Sequence, residues 1–419
     1  MKVLFITPGS GDGYYCANCF RDNLQAQALK RAGHDVSIAP LYLPLRHISP
    51  TRDDVPLFFP ATAYYLERKT GRALPTWLDR TLRSDAALGM AASLSGTTHA
   101  QGLEDLTLSM IEGNDETFAR HMRELTEWIR KDRPAIIQLA SSLLLGIARE
   151  IKATAGIPIV CSLQDVEVWI DQLAPDAAEQ AWRNIAQGAS AVDRFITTSR
   201  HYAETVRLRL PQLPAPRVIY PGVAIDRYRT TAWPEDPTIG FFYRMNRPDG
   251  LDLLAEAFVL LKRRGTVPRL KLRIGGGSMR ADHGFLRQIR RTLKPYAADV
   301  TIEKTYTWAG HADFYRQITV LSVPLRFTEG VGLYLCEAFA AGRPAVEPQT
   351  GSFPEILSDA GLTYTPNDAP ALADALERIL TDRTLFERCS TRARALSRER
   401  YSDTLLAEQL IAVYRELVP

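Results

Sequence analysis

Two glutamates, Glu329 and Glu337, stand seven residues apart in the stretch Thr328–Ala341, TEGVGLYLCEAFAA. Gly330 and Gly332 lie between them, just before a helical run that begins near Leu333. Glycines let backbone amides approach an anion, and the free N–H groups and dipole of a helix start stabilise a diphosphate. The backbone of Gly330, Val331, Gly332 and Leu333 is therefore a candidate diphosphate cradle. Leu333, Cys336, Glu337 and Ala340 share one helical face by their spacing. That spacing puts Glu337 one turn inside the helix, able to accept hydrogen bonds from ribose hydroxyls. Glu329, in the loop, is placed instead to meet a sugar.

These residues need a scaffold, and the whole chain bounds what it is. At 419 residues, two domains of roughly 200 residues each are the natural expectation. Hydrophobic residues make up 46% and charged residues 24%, a globular composition with material for two cores. A net charge of +3 lacks the concentrated Lys and Arg of a nucleic-acid footprint, so no nucleic-acid partner is expected. MKVLFITPG is a short apolar strand running into a glycine loop, unlike a signal peptide. No apolar stretch reaches the ~18 residues of a membrane span. Five cysteines, at 16, 19, 161, 336 and 389, are scattered unlike a secreted disulfide framework. A cytoplasmic protein with reduced thiols is the expectation.

Short β-branched runs alternate with longer helical patterns. Val3–Ile6, Asp35–Ala39, Ala135–Leu139, Ile157–Ser162 and Arg194–Thr197 read as buried strands, with Cys19–Ala32 and Leu143–Ala155 as crossover helices. A second series runs through Thr238–Tyr243, Leu270–Gly275, Val300–Glu303, Thr319–Val323 and Arg343–Glu347, with helical patterns at Leu251–Arg264, His283–Lys294 and Leu335–Ala341. Such alternation predicts parallel sheets covered on both faces. The proline- and glycine-bearing stretch Tyr220–Pro237 reads as the connection between them. The predicted architecture is α/β: two Rossmann-like doubly wound domains, 1–222 and 236–400, facing a central cleft. Residues from about 45 to 132 lack parallel strands and read as a mostly helical insertion, longer than an ordinary βα connection.

The segment EGVGLYLCEAFAAGRPAVEPQTGSFPEIL resembles the donor signature of family 4 retaining glycosyltransferases, whose fold is GT-B. The two glutamates match that family's E-x7-E motif, and the likeness continues through Gly342–Val346 and Thr350–Leu357. In the family, a strand is followed by an Arg and, five residues later, a Lys. Here GFFYRMNRPDG gives Arg244 as the diphosphate-binding Arg, with Asp249 in place of the Lys. A carboxylate there would repel phosphate; Arg247 is either a substitute cation or a solvated loop charge. Gly275–Gly277 resembles the family's glycine turn, with Gly276 at its centre, or is a turn and nothing more. Tyr306–Trp308 and Phe314–Tyr315 fall where the family cradles the nucleotide base, although aromatics are also ordinary core.

In the first half, Gly9, Gly11 and Gly13 after the first strand resemble the glycine-rich loop that closes on the donor, or form a flexible βα turn; Asp12 would then touch a sugar hydroxyl. Cys16 and Cys19 form one CxxC, which alone cannot complete a tetrahedral metal site; packing thiols and a redox pair both remain open readings. In IPIVCSLQDVEVW the family commonly carries a His at the strand end, and here stands Gln164, which cannot exchange a proton near neutral pH. Asp165 and Glu167 are the nearest replacements, Asp165 being also a plain helix cap. The resemblance implies sugar transfer from a nucleoside-diphosphate sugar to an unidentified glycan, lipid-linked or small-molecule acceptor. Glu329, Arg244, Asp165 and Gln164 would stand at the reacting groups. No D-x-D occurs, so neither a metal nor a cofactor beyond the donor is expected. The different-class alternative is a non-catalytic nucleotide-sugar-binding or scaffold protein with a degenerate GT-B active site. Basic and aromatic residues of Tyr64–Arg83 suit peripheral contact with the inner membrane face, or an ordinary amphipathic insertion. A helix over 404–419, apolar along one stripe, is expected to pack back on the first domain.

Overall fold

The computed structural model describes residues 1–9, 15, 17–42, 58, 67, 75, 103–113, 116–230, 233–303, 310–330 and 332–418. Its short apolar runs become the strands of two six-stranded sheets. The first contains β1 (Lys2–Thr7), β2 (Asp35–Pro40), β3 (Ile136–Leu139), β4 (Ile159–Leu163), β5 (Arg194–Thr197) and β6 (Arg217–Val218), ordered β2-β1-β3-β4-β5-β6. Every pairing is parallel; Val3, for example, lies beside Val36 on one side and Ile136 on the other. All residues of β3 and β4 are buried, as a parallel sheet covered on both faces requires. Leu4, Ile6, Ile137, Leu139, Cys161 and Leu163 join Leu145, Ile151 and Met122 of flanking helices in one core. The strand order changes direction between β1 and β3.

The second sheet contains β7 (Thr238–Phe242), β8 (Lys271–Gly275), β9 (Val300–Ile302), β10 (Val320–Leu321), β11 (Ala345–Pro348) and β12 (Gly361–Tyr364), ordered β12-β11-β10-β7-β8-β9. It too is parallel throughout. Here the order reverses between β7 and β10, and ligands of open α/β sheets bind outside the strand carboxyl ends at such a switch point. Arg244 follows β7 and Glu329 follows β10. The topology alone therefore brings together the two segments singled out in the sequence.

The chain divides into two compact units. Met1–Asp12, Asp22–Ile219 and Ala407–Pro419 form the first; Gly13–Arg21 and Tyr220–Leu406 form the second. The expected connection Tyr220–Pro237 thus counts with the second unit, where it forms the helix Ile225–Tyr228. Within the expected insertion, the helices Glu104–Glu112 and Glu116–Asp132 are described; most of Tyr64–Arg83 lies outside the described residues. At the other end of the chain, the helix Asp403–Arg415 carries Tyr414, whose buried hydroxyl donates to Gln138 Oε1 on β3 of the first unit.

Candidate functional site

Beyond β7 the chain turns through Tyr243 into Arg244. The guanidinium of Arg244 is buried and donates from Nε and Nη2 to the two carboxylate oxygens of Asp282, each at 3.0 Å. This fork-to-carboxylate geometry fixes both orientation and charge. Asp282 Oδ2 also accepts the Met279 N–H at 2.8 Å. The glycine turn braces the same loop: Met245 N donates to Gly277 O at 2.9 Å. Gly276 has φ +100°, and a Cβ there would lie 2.3 Å from the Tyr243 carbonyl oxygen. Only glycine fits, because both the backbone conformation and the close approach exclude a side chain.

Asp249 is buried beside this pair. Burial pushes its carboxyl well above the ordinary range, the Arg244 guanidinium pulls it down, and Glu329 and Asp282 push it up again. Arg244, Asp249, Asp282 and Glu329 therefore form one electrostatic cluster at the switch point. Arg247 is engaged elsewhere. Its guanidinium bonds Asp252 at 3.0 Å and Gln288 at 2.9 Å, and its side chain is 55% exposed. A cavity of about 390 Å³ opens at the carboxyl ends of β8 and β9, lined in part by Met245, Ser278, His283 and Glu303.

Gly332 takes a left-handed φ of 58° and leads into the helix Leu333–Ala340, as its glycine identity permits. Leu333 is buried at the helix start. One turn in, Glu337 is fully buried and ringed by donors from the protein itself. Tyr315 donates to Oε2 at 2.7 Å, Tyr228 to Oε1 at 3.0 Å and Tyr15 to Oε2 at 3.4 Å, while His311 Nε2 stands 3.0 Å from Oε2. His311 in turn stacks on Phe242 with ring centroids 4.6 Å apart. The sequence reading had Glu337 accepting ribose hydroxyls; in the structure tyrosine hydroxyls hold its oxygens. Tyr15 belongs to the Gly13–Arg21 segment and also donates its backbone N–H to Gly276 O at 2.6 Å. Its ring thus ties the glycine turn to Glu337.

Glu329 is buried, and its carbonyl oxygen accepts from Ser352 N at 2.9 Å and Ser352 Oγ at 2.6 Å. The TGSFPEIL stretch is therefore what fixes the Glu329 loop. Gly330 is buried next to it. Glu347, on β11, was missed from sequence. It is fully buried and accepts Val323 N at 3.1 Å through Oε1, while Oε2 has no hydrogen bond among the described residues. Burial and then the nearby Glu329 push its carboxyl well above the ordinary range. A glutamate inside the apolar strand AVEP was the available signal. Phe314 and Tyr315 are buried core residues, Phe314 packing on Phe242 at 4.6 Å, rather than an open stacking platform. Gly11, Asp12, Gly13, Cys16, Val331 and Tyr306–Trp308 lie outside the described residues.

In the first unit, Gln164 directly follows β4. It is buried, donates from Nε2 to Ala140 O at 3.0 Å, and its Oε1 has no hydrogen-bond partner among the described residues. Asp165 adopts φ +35° at the start of the helix Val166–Ile170 and makes no side-chain capping bond; the plain capping role does not hold. A left-handed non-glycine residue stores local strain of the kind concentrated at functional sites. Glu167 Oε2 accepts the Tyr202 hydroxyl at 2.6 Å. Burial raises the Glu167 carboxyl above its ordinary range, with the Tyr202 bond opposing. Cys161, Cys336 and Cys389 are buried free thiols. Among the described residues no group of three or more His, Cys, Asp or Glu is placed to hold a metal ion, and no helix is long and apolar enough to cross a membrane.

Known proteins match on both halves. A family model described as "Glycosyltransferase Family 4" matches residues 111–227, and one described as "Glycosyl transferases group 1" matches 236–382. A D-inositol 3-phosphate glycosyltransferase from Streptomyces bingchenggensis is 29% identical over 267 residues, covering 58% of this chain and 57% of the relative. The chain spans from 24% to 57% of the length of the curated relatives it matches. Among solved structures, sucrose-phosphate synthase from Thermosynechococcus elongatus superposes with TM-score 0.72 at 18% identity, covering 100% of this chain and 99% of that one. Anabaena HepE, solved in complex with UDP, gives TM-score 0.68 at 15% identity over 100% of both chains. With its two parallel six-stranded sheets the fold is GT-B. The chain carries the domains of the family 4 and group 1 glycosyltransferases, one in each half.

Proposed function

We propose that the protein is a retaining glycosyltransferase that takes a sugar from a nucleoside-diphosphate sugar, without a metal, and passes it to a hydroxyl acceptor. The carrying observation is that Arg244, after β7, and Glu329, after β10, follow the two neighbouring strands at which the order of the second sheet reverses. The diphosphate leaving group would lie between the Arg244 guanidinium and the amides at Gly332 and Leu333, where developing negative charge is stabilised as the glycosidic bond breaks. Glu329 would meet the sugar. The cavity beside Met245 and Ser278 would take the base, and the first unit would hold the acceptor. HepE, of the same fold, has been solved with UDP and with UDP-glucose, which supports a nucleotide-sugar donor here and makes UDP a sensible first probe.

A second reading has its own support. Gln164 offers no exchangeable proton, as expected of a binding protein that keeps the pocket without the chemistry. Titration calorimetry with UDP, GDP and ADP, followed by a coupled assay for nucleoside diphosphate release from their sugars, separates the two. Release above the spontaneous rate supports transfer; tight binding with no release over all donors and a broad acceptor panel replaces it with the binding reading.

A further inference from the structure

The cavity of about 390 Å³ at the carboxyl ends of β8 and β9 falls in the ~300–1,000 Å³ range of small-molecule sites. It lies inside the second unit, and its walls are chain neighbours of the charged cluster. Met245 follows Arg244, and His283 follows Asp282, the carboxylate that holds the Arg244 guanidinium through two bonds. The cavity therefore adjoins the group proposed to hold the diphosphate. Met245, Leu286 and Ile302 give it apolar surface on which the face of a planar ring can rest.

The polar lining is of two opposite kinds. Arg287 and Arg290, three residues apart on the helix His283–Leu293, offer hydrogen-bond donors only. Glu303 offers acceptors only, and its position is fixed. Its backbone N–H donates to Ile274 O at 2.9 Å, continuing the β8–β9 ladder, and its Oε1 lies 2.7 Å from Nη2 of Arg273 on β8. A carboxylate accepts about four hydrogen bonds, so this pairing leaves it capacity for a ligand.

The bases differ in what they present to such a lining. Guanine has two adjacent donors, N1–H and the N2 amine, which one carboxylate accepts together. It also has two adjacent acceptors, O6 and N7, the pair that arginine reads bidentately. Adenine and cytosine each offer one exocyclic amine, and uracil offers a single N3–H between two carbonyl oxygens that a carboxylate repels. Guanine alone uses both kinds of lining fully.

We propose that this cavity reads guanine, with Glu303 as the specificity-determining residue that accepts from N1–H and the N2 amine, and with Arg287 or Arg290 donating to O6 and N7. The inference rests on the nucleotide-sugar reading and narrows the donor to a GDP-sugar.

The test is titration calorimetry of the full chain with GDP, IDP, UDP, ADP and CDP. GDP should bind tighter than UDP, ADP and CDP by about tenfold or more. IDP, which lacks only the N2 amine, should bind about tenfold more weakly than GDP, the worth of one hydrogen bond to a charged group. Glu303→Gln should weaken GDP about tenfold while UDP stays within about twofold, so that selectivity is lost rather than affinity at large. A merely structural role for Glu303 would weaken every nucleotide alike. Should the variant fail to fold in a thermal melt, the GDP and IDP comparison on the wild type decides alone. IDP or any other nucleotide matching GDP, or equal losses for GDP and UDP in Glu303→Gln, overturns the guanine assignment and leaves the donor reading standing. No binding of any nucleoside diphosphate sinks the donor reading, and the guanine assignment with it.

Discussion

The carboxyl ends of the two sheets make a direct comparison, because both sheets are six-stranded, parallel and doubly wound. In the second, ionisable groups are buried beside the hydroxyls of Ser322 and Ser352: Arg244 after β7, Asp249, Asp282, Glu329 after β10 and Glu347 on β11. In the first, the buried groups at the strand ends are hydroxyls and an amide: Thr7, Ser141, Ser142, Gln164, Thr198 and Ser199. Asp165 and Glu167 stand only partly buried beside them. One scaffold thus supports two polar chemistries. Burying several like charges around one guanidinium is expensive unless a further charged or strongly hydrogen-bonding ligand shares the site. Burying neutral hydroxyls costs less than burying charges, and they recognise neutral ligands. The difference supports the proposed division, with a charged donor at the second unit and a neutral acceptor at the first.

The largest expected effect comes from Glu337→Ala. It removes the acceptor shared by the Tyr15, Tyr228 and Tyr315 hydroxyls from a fully buried site, and should destabilise the second unit by about 3–5 kcal/mol. Glu337→Gln, which keeps an acceptor, should recover most of that. Differential scanning calorimetry of both variants decides it; equal unfolding of Ala, Gln and wild type would mean the ring of donors does not depend on the carboxylate. Next is Arg244→Ala, which strands Asp282 and removes the proposed diphosphate clamp. UDP affinity should fall by about 2–4 kcal/mol while uridine affinity stays within a few-fold. An equal loss for both ligands would place Arg244 away from the diphosphate and blur the contrast between the two units.

A smaller effect, of opposite sign, is expected at Asp249. Burial raises its pKa, so the folded state holds a proton that the unfolded chain gives up near 3.8. Stability from that proton is complete below the ordinary carboxylate range and is lost as pH rises through the raised value. Asp249→Asn should therefore match wild type below about pH 4 and exceed it progressively above, by about 1 kcal/mol at neutral pH. Thermal melts between pH 3.5 and 8 read this directly. A gain independent of pH would show that Asp249 is not the titrating group.

Much of this arrangement was legible in the sequence, for stated physical reasons. Strands buried on both faces appear as unbroken β-branched runs, so ten of the strands were anticipated at nearly their observed bounds. The edge strands β6 and β12 were not. β6 is only Arg217–Val218, between Pro216 and Pro221, and β12 is the short run Gly361–Tyr364; an edge strand needs little apolar material. Glu329, Gly332, Glu337 and Arg244 were visible because glycines and charges punctuate apolar segments. Their partners were not. Tyr15 reaches Glu337 across 322 positions and Tyr228 across 109, and a buried tyrosine looks the same in sequence whether its hydroxyl meets a carboxylate or a carbonyl. Asp282 likewise has no motif to mark it as the Arg244 partner.

The smallest expected change in stability tests the neutral end of the comparison. Gln164→Ala removes the bond from Nε2 to Ala140 O, about 1 kcal/mol. If the amide only braces the loop between β4 and the following helix, catalysis should fall in proportion to stability, and kcat and KM should recover together at lower temperature. If its Oε1 serves a substrate hydroxyl, kcat/KM should drop by about tenfold or more with little thermal shift, because a buried amide aimed at a hydroxyl discriminates through hydrogen bonding rather than charge. Gln164→Glu sharpens the outcome. A carboxylate there imports into the first unit the ionisable character of the second, and if neutrality is what the acceptor end requires, kcat/KM should fall as pH rises and the new carboxyl ionises. A pH-independent Glu variant with wild-type kcat/KM would remove the distinction between the two strand ends on which the division of donor and acceptor rests.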